Sequence, residues 1–250
     1  MKTSKALERA FNDWARTRDM ITAFGDALEM LVCEITPHWT DPKTGQLRGR
    51  YTDKYLAVAS RYEPEHIRTY YPPIHKALLE AYDENVTPEG GWCDPLGDFF
   101  QEIASNRDKS WKGQFFTPEA LCDMMAKFTK NKDDTRTSLS VLDPACGSGR
   151  MSLAFDRNSP PGSNHFYVGV DIDARCIQIA ALNFFFHGLR GVLICGNSLS
   201  LESRFGYQLH HPMLGRGIVH LDADECDAYM KLPAVKNAAP KPGQLSLFDM

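Results

Sequence analysis

The run Asp143-Pro144-Ala145-Cys146-Gly147-Ser148-Gly149 constrains the fold of this chain more than any other feature. It follows the apolar segment Leu139-Ser140-Val141-Leu142, which reads as a buried strand, and it precedes a helix-compatible stretch from Arg150. A strand, a tight glycine turn and a helix, in that order, bring bare backbone close to a ligand at the mouth of an α/β sheet. Two more strand-length apolar runs follow, His165-Phe166-Tyr167-Val168-Gly169-Val170 and Gly191-Val192-Leu193-Ile194-Cys195.

The residues at the strand ends narrow the ligand. A phosphate-binding loop favours backbone N–H groups and lysine, whereas Asp143 suits the ammonium of an amino-acid moiety. The second strand ends in Asp171-Ile172-Asp173, and Asp171 lies about twenty residues past the glycine turn, where a carboxylate receives ribose hydroxyls. Ile172 is expected to lie flat against an adenine. The third strand runs into Gly196-Asn197-Ser198-Leu199, with Asn197 placed to bond the adenine edge. Amino acid, ribose and adenine together describe S-adenosylmethionine (SAM). Cys146 needs only to be small in its turn and is not read as a nucleophile. Upstream, Gly113-Gln114-Phe115-Phe116-Thr117-Pro118 opens a helix, with Thr117 as N-cap and Pro118 as first helical residue.

These four motifs, GQFFTP, DPACGSG, GVDID and GNSL in that order, resemble the N6-adenine DNA methyltransferase family, particularly the modification subunits of type I restriction systems. The resemblance covers roughly residues 111 to 200. It implies an α/β architecture: a truncated SAM-dependent methyltransferase (Rossmann-like) fold with a helical N-terminal region. It also implies that Phe116, Thr117, Asp143, Ala145, Gly147, Asp171, Ile172 and Asn197 line a SAM pocket. Family members carry a further (Asn or Asp)-Pro-Pro-(Tyr or Phe) motif that holds the target amine and stacks on the flipped base. That motif is missing here. His211-Pro212-Met213 and Leu232-Pro233-Ala234 lack the acceptor, the proline pair and the aromatic, and Tyr71-Pro72-Pro73-Ile74 precedes the SAM motifs and lacks the acceptor. No catalytic residue is assigned. A full methyltransferase sheet needs about seven strands, so the chain is expected to keep the half that holds SAM and lose most of the half that completes a substrate pocket.

A second resemblance lies at Gln244-Leu245-Ser246-Leu247-Phe248, after a stretch containing Pro233, Pro240, Pro242 and Gly243. It is similar to the bacterial sliding-clamp binding motif, which implies that Gln244, Leu245, Leu247 and Phe248 enter a groove on the clamp. An extended proline-rich leader would present the peptide. The expected organisation is a helical region over 1–110, an α/β core over 111–230 and a flexible tail over 231–250.

Helical spacing runs through the first region, at Leu7, Ala10, Phe11 and Trp14 and again at Phe24, Ala27, Leu28, Leu31 and Val32. Further helices are predicted over 55–61, 74–82 and 95–104, with a turn at Asp41-Pro42-Lys43-Thr44-Gly45 and a break at Thr87-Pro88-Glu89-Gly90-Gly91. Tyr70, Tyr71, Trp92 and Trp111 read as core or as a lid. A fourth strand is expected at Gly217-Ile218-Val219-His220-Leu221, followed by a short helix.

The formal charge of −4 disfavours a stand-alone DNA binder. The basic groups Lys43, Arg48, Arg50, Lys54 and Lys127, Lys130, Lys132, Arg136 adjoin acids and read as solvated faces. Seven cysteines without a Cys-x-x-Cys pair indicate reduced thiols. His210, His211, His220, Asp222 and Cys226 match no zinc spacing, so no metal is expected. No run of about twenty apolar residues and no signal-peptide pattern occurs, which points to the cytoplasm and away from the membrane. Two functions stay open: a SAM-binding, clamp-tethered relative of the methyltransferases without transfer activity, or a working DNA adenine methyltransferase whose amine site comes from a partner subunit or an atypical motif.

Overall fold

In the computed structural model, described residues are 4–37, 39–40, 45, 47–48, 53–86, 91–105, 116–129, 136–210, 215–230 and 244–246. The expectations on Asp41–Thr44, Arg50, Thr87–Gly90, Trp111, 113–115, Lys130, Lys132, His211–Met213, Leu232–Ala234, Pro240, Pro242, Gly243, Leu247 and Phe248 lie outside them. The chain divides into two compact units, Met1–Phe116 and Thr117–Met250.

Amphipathic helices build the first unit. α1 (Lys5–Trp14) starts where the Ser4 side chain accepts from Leu7 N, and its stripe Leu7, Ala10, Phe11, Trp14 is buried. After a 3₁₀ turn, Ala15–Thr17, Asp19 caps α2 (Met20–Ile35). β1 (Trp39–Thr40) and β2 (Leu47–Arg48) pair antiparallel. α3 (Asp53–Ala59), α4 (Pro64–Tyr70), α5 (Pro72–Asn85) and α6 (Pro95–Ser105) complete the unit. The core is aromatic: Phe11 stacks on Phe99 at 4.8 Å and meets Phe24 edge-on at 5.1 Å, while Trp14 stacks on Tyr62 at 4.3 Å. Buried Asp26 accepts from Tyr62 Oη at 2.7 Å and Arg61 Nη1 at 2.6 Å.

The Tyr71-Pro72-Pro73 run has a local role. Both prolines sit at the start of α5, where a missing N–H costs nothing, and Tyr71 is buried against Trp14 and His75. Trp92 is buried as well, and Tyr70 lies under the Arg16 guanidinium.

The second unit is an α/β sheet. In chain order it runs α7 (Glu119–Thr129), β3 (Ser140–Asp143), α8 (Arg150–Arg157), β4 (Phe166–Asp171), α9 (Ala174–His187), β5 (Gly191–Asn197), β6 (Glu202–Leu209), β7 (Ile218–Leu221), α10 (Ala223–Met230) and β8 (Gln244–Ser246). The strand order is β7-β6-β5-β4-β3-β8; β5, β4, β3 and β8 are parallel, and β6 is antiparallel to both of its neighbours. The central strands are mainly apolar, with Tyr167, Val170, Val192, Leu193 and Ile194 buried, as in strands covered on both faces. α9 presses Ile177, Ala180, Ala181 and Phe184 into this core.

Two strands depart from expectation. β6 is not legible in the sequence because charged and polar residues fill most of its first half and Gly206 interrupts it. That glycine is a packing requirement: a Cβ there would stand 2.7 Å from both Cys226 Sγ and the Leu193 carbonyl. Gln244–Ser246, expected as tail, instead pairs with Ser140–Leu142 along the open side of β3. An exposed parallel edge offers unpaired N–H and C=O groups to any extended segment that reaches it.

Candidate functional site

The order β5-β4-β3 sets three carboxyl-terminal strand ends side by side, carrying Asn197, Asp171 and Asp143. In open α/β sheets this is the edge at which ligands bind. The glycine turn after β3 is shaped by positive φ at Gly147 (54°) and Gly149 (85°). A Cβ on Gly149 would also meet Phe184 of α9 at 3.0 Å. The turn is bound to its surroundings by main-chain bonds, Cys146 N to Val170 O at 2.9 Å and Gly149 N to Cys146 O at 2.8 Å. Asn183, fully buried on α9, donates to Ser148 O at 2.8 Å.

Asp171 closes the turn from β4. Its Oδ2 accepts from Gly147 N at 2.9 Å and its Oδ1 from Asp173 N at 2.8 Å. Burial raises its pKa, and the Asp173 and Gly147 amides oppose that rise. Asp143 is different. It is 1 % exposed, its Oδ1 accepts from Ala145 N at 3.2 Å, and its Oδ2 is buried with no hydrogen-bond partner among the described residues. Burial pushes its carboxyl up to about 7; the Ala145 amide opposes the rise and the Asp171 charge adds to it. A buried carboxylate oxygen without a donor is costly when ionised.

Ile172, between the two acids, exposes 64 % of its surface although it is aliphatic. Asn197 uses its Oδ1 to accept from Leu199 N at 2.9 Å and Ser200 N at 3.3 Å. Any bond to an adenine edge therefore falls to its Nδ2 donor. Thr117 is drawn toward the turn by its main chain: its carbonyl accepts from Arg150 Nη1 at 3.4 Å and Cys122 Sγ at 3.5 Å. α7 begins at Glu119, with Pro118 O accepting from Cys122 N, so Pro118 and not Thr117 occupies the cap position. Phe116 belongs to the first unit, with its ring 6.1 Å from that of Phe100.

Residues 94–205 match the family described as N-6 DNA Methylase. The likeness to that family rests on this segment. Over 98 residues the chain is 33 % identical to the type I restriction enzyme MjaVIII methylase subunit of Methanocaldococcus jannaschii, covering 38 % of this chain and 16 % of that protein. Over 151 residues it is 28 % identical to the MjaVII methylase subunit of the same organism, covering 58 % and 24 %. The chain thus spans between a sixth and a quarter of the length of these relatives. Among solved structures, a type I restriction-modification methyltransferase subunit from Streptococcus thermophilus superposes at TM-score 0.40 and 15 % identity, over 76 % of this chain and 57 % of that one. A Listeria monocytogenes protein described as a class I S-adenosylmethionine-dependent methyltransferase gives 0.36 at 15 % identity, over 90 % and 69 %.

Within residues 94–205, two residues near the strand ends are not legible in the sequence. Arg150 is buried at the first position of α8, where the helix dipole disfavours a cation. That mismatch is the signal that it has a tertiary partner, the Thr117 carbonyl. Arg204 of β6 carries no comparable signal. Cys146 is buried, and burial holds its thiol well above the ordinary range. Among the described residues no group of three or more His, Cys, Asp or Glu side chains is gathered for a metal ion, and no helix is long and apolar enough to cross a membrane.

Proposed function

We propose that the chain binds SAM at the ends of β3, β4 and β5. The observation that carries this is the partnerless Oδ2 of buried Asp143 beside a glycine turn, which an ammonium group would satisfy. Asp171 keeps lone pairs on both oxygens for ribose hydroxyls, since each accepts one amide. Exposed Ile172 offers an apolar face to a purine, and the Asn197 Nδ2 offers a donor to its edge. Ala145 and Gly147 contribute backbone, and Thr117 joins the same pocket by resemblance. When bound, SAM supplies an electrophilic methyl group.

The substrate reading, DNA adenine, follows the resemblance of the four motifs to N6-adenine DNA methyltransferases, and a partner subunit of a type I restriction system follows the relatives' description as methylase subunits. No Asn/Asp-Pro-Pro-Tyr/Phe motif occurs in the chain: of its two proline pairs, Pro72-Pro73 begins α5, and Pro160-Pro161 lies between Ser159 and Gly162. We therefore read the chain as a SAM-binding member without transfer activity of its own, working in the cytoplasm and recruited to the sliding clamp through Gln244, Leu245, Leu247 and Phe248. The well-formed glycine turn favours a second reading, an active methyltransferase whose amine-holding residues come from a partner. Tritiated SAM with unmethylated DNA separates the two: incorporation by the purified chain alone overturns the inactive reading. Titration of SAM tests the shared premise, and no measurable binding rejects both. For the tail, Leu247→Ala with Phe248→Ala is expected to abolish clamp pull-down, and undiminished capture refutes that role.

A further inference from the structure

The peptide that carries Ile172 is gripped on both sides, on one of them by a residue outside every motif. In the β5–β6 pair, Cys195 faces Phe205 and Gly196 faces Ser203, so Arg204 is the extra residue of a β-bulge. A bulge frees its residue from the ladder and re-aims its side chain. Here Arg204 Nη2 donates to the main-chain oxygen of Ile172 and lies 2.9 Å from Cys195 Sγ. The Cys195 thiol reaches the same oxygen at 3.7 Å. Three neighbouring strands are thereby tied at their ends.

The Ile172 oxygen belongs to the same rigid amide plane as Asp173 N. That N–H is the donor to Asp171 Oδ1. One plane is therefore held at its oxygen by Arg204 and at its N–H by Asp171. If the oxygen were released, the plane could rotate, Asp171 would lose a donor, and the Ile172 side chain would swing with it. Asp173 itself is anchored downstream, where its carboxylate accepts from Arg175 N at 2.9 Å at the start of α9.

We infer that Arg204 is a positioning residue for the nucleoside half of the site, fixing the Ile172–Asp173 peptide so that Asp171 and Ile172 keep the geometry a ribose and a purine require. The inference rests on the SAM reading above and adds a residue and a division of labour to it. Asp143 at the amino-acid end accepts from Ala145 N and makes none of these hydrogen bonds, so the two halves of the ligand are expected to respond differently to Arg204.

The test uses the full chain, with SAM, adenosine and L-methionine titrated separately against wild type, Arg204→Ala and Arg204→Lys. Loss of a charge-assisted hydrogen bond is expected to weaken SAM and adenosine by roughly tenfold or more in Arg204→Ala, with methionine unchanged. Arg204→Lys retains one donor and is expected to fall between, a rescue that general damage to the fold does not give. Equal affinity of wild type and Arg204→Ala for SAM and adenosine overturns the inference. So does a parallel loss of adenosine and methionine binding, which marks a merely structural role. Failure of the wild type to bind SAM rejects the parent reading instead, and is seen before any variant is compared.

Discussion

Asp143→Asn separates the demands of folding from those of binding at one atom. In the ligand-free chain the carboxyl of Asp143 titrates near 7 rather than in the ordinary aspartate range near 4, chiefly because it is buried. The folded state thus holds its proton more tightly than the unfolded state. This group favours folding most below about pH 4, and its contribution declines as pH rises through the window from about 4 to about 7. The span corresponds to a ceiling of about 4 kcal/mol. Asparagine never ionises, and its Oδ1 can still accept from Ala145 N, but its Nδ2 becomes a buried donor at a cost of about 1–3 kcal/mol. The net expectation is a variant more stable than wild type by about 1–3 kcal/mol at pH 8, with that advantage gone or reversed near pH 4.5. Thermal melts of both proteins across this range, without ligand, give the comparison. The same variant is expected to weaken SAM binding, because a neutral amide lacks the charge with which a carboxylate attracts the ammonium. In wild type, SAM affinity is expected to fall by about tenfold per pH unit below about 7, as Asp143 takes up its proton. Melting curves of variant and wild type that run parallel at every pH would refute the assignment of a buried, costly charge to Asp143.

Three further outcomes are expected. Asp171→Asn, which replaces one acceptor oxygen with a donor facing an amide N–H, should weaken SAM at least tenfold by calorimetry, on the order of a lost charge-assisted bond. Gly149→Ala forces a Cβ into positive φ and against Phe184, and should destabilise the chain by about 1–3 kcal/mol in urea unfolding. Asp26→Ala leaves the buried Tyr62 hydroxyl and Arg61 without their acceptor; a loss of about 2–4 kcal/mol is expected in the same assay, with SAM affinity unaltered once the protein is folded.

The parallel core was readable because its signals are local and agree. Val141, Val170 and Ile194 lie in short, mainly apolar runs, and each run ends in a polar residue that the sheet then sets beside the others. The stripe from Leu7 to Trp14 was readable for the same reason, since helical periodicity and burial coincide. β6 was hidden because its stability comes from neighbours: Gly206 suits a strand only where Cys226 and Leu193 crowd it. The role of Arg204 depends on a bulge, and a bulge is a property of two strands in register, which no single segment encodes. Asn197 was placed correctly at a strand end, but its division between a loop-holding oxygen and a free amide emerged only from the turn through Ser200. The start of α7 shifted by one residue because Thr117 spends its carbonyl on Arg150, a partner far along the chain.

Parallel pairing of Gln244–Ser246 with Ser140–Leu142 gives this short segment an occupation of its own. Any receptor that takes it as an extended peptide must outbid β3 for the same main-chain groups, so the isolated peptide is expected to associate more tightly than the identical stretch in the intact protein. Its departure would leave the strand bearing Asp143 as a bare margin, open to whatever else presents a matching edge.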